Sequence, residues 1–177
     1  MFDKFEGYKQ ILVTGPQRSG TRIAAKMIAH TLGHEYVDEG RIHADSIYTL
    51  YHDILQTDRR VVVQCPALCY AVPQLVSRFD GVCGVFMLRK LTDIAKSEKR
   101  VGWDYGWLEK IHYGNTWGPI ADIKERAWFT GFLKSNLFSL EYESLRFHPL
   151  WVPEGKRAGF HALQTSVDDA PPYNEPK

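Results

Sequence analysis

ILVTGPQRSGTR, residues 11–22, is the stretch that decides the fold of this chain. It opens with the β-rich run Ile11–Val13 and closes where a helical pattern of apolar residues begins, at Thr21. That pattern continues until Gly33, a residue type that commonly ends helices. Between strand and helix lies a glycine-containing loop, whose backbone amides and helix N-terminus can converge on an anion. The order strand, loop, helix therefore predicts an anion-binding loop.

The two glycines of this loop, Gly15 and Gly20, have the G-x-x-x-x-G spacing of a Walker A loop. The next two positions of that motif carry Lys and Ser/Thr, whereas this chain has Thr21 and Arg22. The lysine would hold the β/γ-phosphates and the Ser/Thr the magnesium ion, so ordinary ATP or GTP chemistry is disfavoured. The cation lies inside the loop instead, at Arg18. The structural alternative is a tight glycine turn that binds nothing.

Short apolar runs alternate with helical patterns along the rest of the chain, and no internal repeat is present. The runs lack polar alternation, which is typical of parallel strands covered on both faces. We therefore predict one α/β domain of P-loop type over residues 1–165, with three α/β/α layers and a central parallel sheet of about five strands. The polar, proline-rich residues 166–177 are predicted to form a flexible tail. The further predicted strands are 36–37, 61–63 and 82–88, and the further helices are 44–55, 73–79 and 92–100.

Charge and cysteine content narrow the classes of partner. The chain has 177 residues and 22 Lys plus Arg against 21 Asp plus Glu, a net charge of +1. A nucleic-acid or membrane-surface binder needs a broad basic field, so neither partner is expected. The three cysteines are too few for a disulfide scaffold, which favours a reducing compartment. With no signal-peptide pattern at the start and no apolar run near about 18 residues, the expected localisation is cytoplasmic.

A second stretch carries polar chemistry at the end of a strand. The predicted strand 82–88 runs directly into Arg89, and Ser97 follows eight positions later on the next predicted helix. An arginine fork and a hydroxyl so placed could meet on one anion. Taken singly, each residue has an ordinary alternative: a surface cation after a strand, and a solvent-facing helical serine.

Together the two stretches resemble the sulfotransferases that use 3′-phosphoadenosine 5′-phosphosulfate (PAPS), over roughly residues 9–160. The segment 16–22 is similar to that family's 5′-phosphosulfate loop, and Arg89 with Ser97 is similar to its 3′-phosphate motif. The resemblance implies PAPS as sulfuryl donor, adenosine 3′,5′-bisphosphate (PAP) as product and no metal ion. The implied nucleotide-binding residues are Gln17, Arg18, Ser19, Gly20, Thr21, Arg22, Arg89 and Ser97. Arg157, in the basic glycine loop 155–159, is a further candidate whose alternative is a solvated turn.

The implied reaction moves a sulfuryl group from PAPS to an acceptor hydroxyl or amine by in-line displacement, with Arg18 stabilising the leaving oxygen. Some family members take the base from a His after the third strand, preceded by a Lys, but here that place is Gln64-Cys65-Pro66. Others use a Glu at the end of the second strand, which makes Glu39 the candidate base and His43 the next. The alternative for Glu39 is a solvated strand-end acid. Arg22 could take the place of the missing lysine.

Three remaining features have weaker assignments. The stretch 140–145, followed by Pro149, is similar to the family's late strand motif and is interpreted as structural. Residues 101–130 hold aromatic residues among glycines, which could form an acceptor platform, cover the sheet edge or join two copies into a homodimer. Cys65 and Cys69 lack further ligands nearby and are predicted to be core thiols.

Two other functions stay open at this point. One is a P-loop kinase of nucleosides or small metabolites, which would require magnesium-dependent ATP binding without the Walker lysine. The other is a non-catalytic module that binds a nucleotide, which the missing Lys and His after the third strand keep in view. The nucleotide donor and an acceptor of unknown identity are the expected partners.

Overall fold

A computed structural model describes residues 1–41, 47–100 and 136–152 of the chain. The four strands predicted by range are present in these ranges and a fifth completes the sheet, so the α/β class is confirmed. The strands are β1 (Gln10–Thr14), β2 (Glu35–Val37), β3 (Val61–Gln64), β4 (Val82–Leu88) and β5 (Leu137–Glu141). The α-helices are α1 (Thr21–Leu32), α2 (Ile47–Leu50), α3 (Val72–Val76) and α4 (Leu91–Arg100).

The five strands form one parallel sheet in the order β2-β3-β1-β4-β5. The central strand β1 lies between β3 and β4, and the chain leaves it first toward β2 on one side and later reaches β4 on the other. In open α/β sheets, ligands bind at such a point, outside the carboxyl ends of the strands. The loops after β1, β3 and β4 therefore end at one edge of the sheet, as the sequence predicted.

Both faces of the sheet are buried, which completes the three layers. On one face, Ile11 and Val13 of β1 pack with the apolar side of α1 and with Phe2 and Phe5 near the N-terminus. On the other face, Leu12 packs with a second cluster contributed by the segments around α2 and α3. Adjacent β1 side chains thus point into opposite cores, which explains why this strand has no polar alternation.

Helix α1 begins directly at the glycine loop and ends where the sequence predicted. Gly33 has φ +64°, and its N–H bonds the carbonyls of Ala29 and His30, so the helix closes on a left-handed glycine. Residues 24–29 of the helix are all buried, and the helix contacts β1, β2 and β3. This packing fixes the direction in which the first turn of α1 meets the loop.

The predicted helix 44–55 differs from the observed structure. Within its described part, α2 covers four residues and the chain continues as a π-helical turn, Tyr51–Leu55. The buried Gln10 side chain donates from Nε2 to the carbonyls of Ile54 and Thr57, both at 2.8 Å. These bonds hold the wide turn against β1, a long-range contact that periodicity does not reveal. The described helices include none long and apolar enough to cross a membrane.

A short segment after β5 packs against the loop that follows β1. The strand ends at Glu141 and a 3₁₀ helix, Tyr142–Phe147, follows, so the predicted late strand motif lies mostly beyond the strand. The Trp151 ring then packs edge-on against Tyr142, with centroids 5.4 Å apart. Within this segment, 142–152, the Trp151 ring therefore helps to fix the position of the Tyr142 ring.

His148 anchors the segment 142–152 in a defined protonation state. Its Nδ1 accepts the Leu150 N–H at 3.2 Å, so the ring proton is on Nε2, which lies 3.0 Å from Thr31 Oγ1. The Thr31 hydroxyl in turn donates to the Met27 carbonyl at 2.8 Å. Burial, then His30 and the N-terminal amine, hold the pKa of His148 below its usual value.

This arrangement predicts a pH-dependent stability. Because the pKa of His148 is lower in the folded than in the unfolded chain, the stabilisation is full above the unfolded value and is lost as the pH falls through the folded one. We expect His148→Asn, which keeps an acceptor for the Leu150 N–H, to lose less unfolding free energy than wild type between about pH 7.5 and about pH 5.5. Urea denaturation at the two pH values measures this.

The exposed His52, replaced in His52→Asn, is the matched control. This variant should keep the wild-type pH dependence. If His148→Asn and wild type lose equal unfolding free energy over the same pH interval, His148 does not titrate as the structure indicates.

Candidate functional site

The loop after β1 is held in an unusual backbone conformation. Gly15, Arg18 and Gly20 have φ values of +142°, +64° and +96°. Ser19 folds the loop back on itself, donating from N and from Oγ to the Pro16 carbonyl at 3.1 and 2.6 Å. Arg18 is the non-glycine residue with positive φ in the described part of the chain, a conformation that costs about 1–2 kcal/mol. The loop is therefore tightly curled and needs support from outside.

That support comes from the second predicted motif. Arg89, directly after β4, donates from a terminal nitrogen to the Arg18 carbonyl at 2.9 Å. In the opposite sense, Arg18 donates from Nε to Ser97 Oγ on α4 at 3.1 Å, and Ser97 is buried. The structure thus brings together Arg18, Arg89 and Ser97, although 79 residues separate the first from the last.

Arg89 lies in an environment that suits an anion. Its guanidinium carbon is 4.1 Å from the centroid of the Tyr142 ring, a cation–π contact. Its Nε is buried and, among the described residues, has no hydrogen-bond partner. A buried donor left unsatisfied costs about 1–3 kcal/mol, so the site favours an oxygen acceptor at this point. A phosphate oxygen meets that requirement.

Tyr142 is a site residue that the sequence analysis missed. Its ring lies directly under Gly20, where an added Cβ would be 2.4 Å from Tyr142 Cδ2. The register of β4 and β5 explains why the Tyr142 ring lies beside Arg89. Leu88 pairs with Glu141, so the residues that follow them, Arg89 and Tyr142, are neighbours across the two strands. One ring therefore supports both the loop and the arginine, which no spacing within either motif could indicate.

A second polar group gathers on the other side of the loop, at the ends of β2 and β3. The Arg22 guanidinium forms an ion pair with Asp38, Nε to Oδ2 at 3.0 Å, and its Nε also faces Gln64 Oε1 at 3.4 Å. Arg22 thus lies beside Gln64, next to the place where some PAPS-dependent sulfotransferases carry a lysine. Asp38 and its neighbour Tyr36 were missed, although a polar cluster at the end of a predicted strand is the pattern that could have indicated them.

Tyr36 completes this group. Its hydroxyl donates to Asp38 Oδ2 at 2.6 Å and lies 3.2 Å from Gln64 Oε1. Burial, followed by the Asp38 carboxylate, raises the pKa of Tyr36 far above its ordinary value, so the phenol keeps its proton and acts as a donor. Gln64 Nε2 faces the hydroxyl of Thr21 at 3.5 Å, and both residues are buried. The position of the Walker lysine is thus a buried threonine.

Glu39 begins a 3₁₀ turn, Glu39–Arg41, directly after β2 and Asp38. Glu39 therefore lies at the carboxyl end of β2, the neighbour of β3 in the sheet. Burial first, then Cys69 and the Glu39 carboxylate, raise the pKa of the Cys65 thiol. The three cysteines are buried and none is in a disulfide, which confirms Cys65 and Cys69 as core thiols. The described ranges contain no cluster of His, Cys, Asp and Glu that could hold a metal ion.

The remaining predicted site residues are divided between described and undescribed parts. Gln17 lies half-buried within the loop. Arg157, His43, the aromatic stretch 101–130 and the predicted tail 166–177 lie outside the described residues.

Comparison with known proteins bears on the fold alone. No protein-family model matches the chain, and no curated protein sequence does. Among solved structures, shikimate kinase from Acinetobacter baumannii in complex with shikimate is similar, with a TM-score of 0.50 and 11% sequence identity over 80% of this chain and 87% of that one. The chain has a P-loop-like α/β fold. At this level of identity, the likeness says nothing further about residues or substrate.

The contact between Gly20 and Tyr142 gives a direct test of the loop. Gly20→Ala combines a left-handed φ with an overlap against the ring, and we expect it to lower the unfolding free energy by about 3 kcal/mol or more. Gly33→Ala is the matched control, because Gly33 also has positive φ but has nothing within 4 Å of an added Cβ. It should cost about 1 kcal/mol. Equal losses in urea denaturation would contradict the contact.

Proposed function

We propose that this protein is a sulfotransferase that moves a sulfuryl group from PAPS to an acceptor hydroxyl or amine. The observation that carries the proposal is the hydrogen bond from Arg18 Nε to Ser97 Oγ at 3.1 Å. It joins the two stretches that resemble the 5′-phosphosulfate loop and the 3′-phosphate motif of that family. One nucleotide can be bound by both motifs only if they lie close together. This hydrogen bond brings them together at one edge of the sheet.

The 3′-phosphate is assigned to Arg89 and Ser97. The buried Arg89 Nε lacks a partner among the described residues, and a phosphate oxygen would accept from it. The Tyr142 ring shields one face of the guanidinium from water, which strengthens its attraction to an anion. Ser97 adds a hydroxyl that is buried at the same edge. Arg157 remains a proposed additional cation.

The 5′-phosphosulfate is assigned to the loop and to the start of α1. Backbone amides of Gly20 and Thr21 would face the 5′-phosphate, as helix N-termini do for many phosphates. Ser19, whose N–H and hydroxyl both donate to the Pro16 carbonyl, would shape the loop around it. Arg18 would neutralise charge on the leaving oxygen, and Arg22 would face the sulfuryl group from the side of β3. Gln17 lies in the same loop and is a proposed contact.

The chemical step is a single in-line displacement. The acceptor oxygen or nitrogen attacks sulfur, and the bond from sulfur to the 5′-phosphate oxygen of PAPS breaks. That oxygen keeps the electron pair, so PAP leaves as an anion, and the acceptor proton passes to a base. Glu39 is the proposed base, with His43 as the next candidate.

A second candidate function is a P-loop kinase acting on a small metabolite. The fold comparison supports it better than the first, because the similar structure is a kinase in complex with shikimate. The residues at the loop argue in the other direction. Thr21 and Arg22 stand where a kinase carries the phosphate-binding Lys and the magnesium-binding Ser/Thr, and Arg22 is paired with Asp38. A non-catalytic nucleotide-binding module is the third possibility.

Isothermal titration of the wild-type protein separates these functions. We expect PAP to bind without magnesium, with a dissociation constant unaffected by EDTA, and ATP with magnesium to bind much more weakly. Binding of magnesium-ATP in preference to PAP would contradict the sulfotransferase and support the kinase. Normal PAP binding without turnover of PAPS by any hydroxyl or amine acceptor would leave the non-catalytic module.

Arg89→Ala supplies the specific variant for this titration, and Lys90→Ala, which removes the neighbouring exposed cation, is its matched control. Loss of a charge-assisted contact to phosphate should weaken PAP binding about 10- to 100-fold in Arg89→Ala. The control should retain nearly the wild-type affinity. Equal losses in the two variants would mean that only total charge matters.

A further inference from the structure

The polar side chains beside Arg22 form one closed hydrogen-bond network. Asp38 Oδ2 accepts from Arg22 Nε at 3.0 Å and from the Tyr36 hydroxyl at 2.6 Å. Asp38 Oδ1 accepts from an Arg22 terminal nitrogen and from the Gly40 N–H, both at 3.2 Å. Gln64 Oε1 then links Arg22 to Tyr36. Two strands and a helix thus share one network.

The arrangement makes Asp38 an anchor. Its carboxylate accepts four hydrogen bonds, which together fix both of its oxygens. The partly buried Tyr36 hydroxyl and the Gly40 N–H hold this carboxylate, and the carboxylate in turn holds Arg22.

The consequence for Arg22 is a restricted side chain. A free arginine carries about 2 kcal/mol of rotamer entropy, which it loses when it binds a ligand. An arginine already held by a fixed carboxylate has lost much of it beforehand, so binding costs less. A guanidinium fixed in this way presents its donors in set directions, which suits the oxygens of a terminal sulfuryl group.

We propose that Tyr36 and Asp38 are positioning residues that hold Arg22 for the 5′-terminal sulfuryl group, and so set the preference for a sulfated over an unsulfated nucleotide. This inference rests on the proposed function. It assigns selectivity for the donor to the ends of β2 and β3, whereas the residues proposed for the 3′-phosphate, Arg89 and Ser97, lie directly after β4 and within α4. The two halves of the nucleotide are therefore recognised independently.

The test compares adenosine 5′-phosphosulfate with adenosine 5′-phosphate, which differ only in the sulfuryl group. Wild type should prefer the sulfated nucleotide. In Tyr36→Phe and Asp38→Asn that preference, measured as the ratio of the two dissociation constants, should fall about 3- to 10-fold. The ratio is taken on one protein sample, so a partly unfolded variant does not distort it. PAP, which lacks the sulfuryl group, should bind each variant within about twofold of wild type.

Two further proteins make the result specific. Glu35→Gln, on the same strand, breaks an exposed pair with Arg59 and should leave the ratio unchanged. In an Arg22→Ala background, adding Tyr36→Phe should no longer change the ratio, because Tyr36 is argued to act through Arg22. A purely structural role for Tyr36 would instead weaken all three nucleotides equally in either background.

The outcomes separate this inference from the function on which it rests. No PAP binding by wild type would overturn both. Normal PAP binding would overturn the positioning role alone in any of three cases: wild type shows no preference for the sulfated nucleotide, the ratio is unchanged in Tyr36→Phe and Asp38→Asn, or Tyr36→Phe still changes it without Arg22.

Discussion

The hydrogen bonds that cross at Arg18 are the interaction on which the site depends. The backbone of Arg18 is left-handed, at a cost of about 1–2 kcal/mol, and its carbonyl is held by Arg89. A hydrogen bond from a charged donor contributes about 1.5–3 kcal/mol, enough to offset that cost. The Arg18 side chain meanwhile bonds Ser97 on α4. The curl of the loop and the position of the β4–α4 junction are therefore set together.

The same edge explains how a nearly neutral chain could hold a strongly charged nucleotide. The net charge is only +1, yet Arg18, Arg22 and Arg89 all lie where the parallel strands end. Each contacts a different kind of group: Arg18 the Ser97 hydroxyl, Arg22 the Asp38 carboxylate and Arg89 the face of the Tyr142 ring. Because these three contacts fix the cations in separate places, the proposed function requires the site to distinguish the two ends of the nucleotide and not simply to attract negative charge.

The sequence predicted those parts of the site that lie within one motif. The strand–loop–helix order, Gly33 as the end of α1, and Arg89 with Ser97 on β4–α4 follow from local spacing. Tyr142 was missed, because its contact with Gly20 depends on the pairing of β4 with β5. A polar pattern at the end of β2 could have indicated Tyr36 and Asp38, but their contacts with Arg22 depend on the order of the sheet. The π-helical turn after α2 is likewise held by a distant residue, Gln10.

The claim that charge acts here by position has one direct test. Adenosine 3′,5′-bisphosphate and adenosine 2′,5′-bisphosphate carry the same base and the same charge, and they differ only in where the second phosphate is attached. Calorimetric dissociation constants for the two isomers should differ by at least about 10-fold in favour of the 3′,5′ isomer, the effect of one well-placed charged hydrogen bond. Equal affinities would show that the arginines act as an unspecific basic cluster, and would contradict the account.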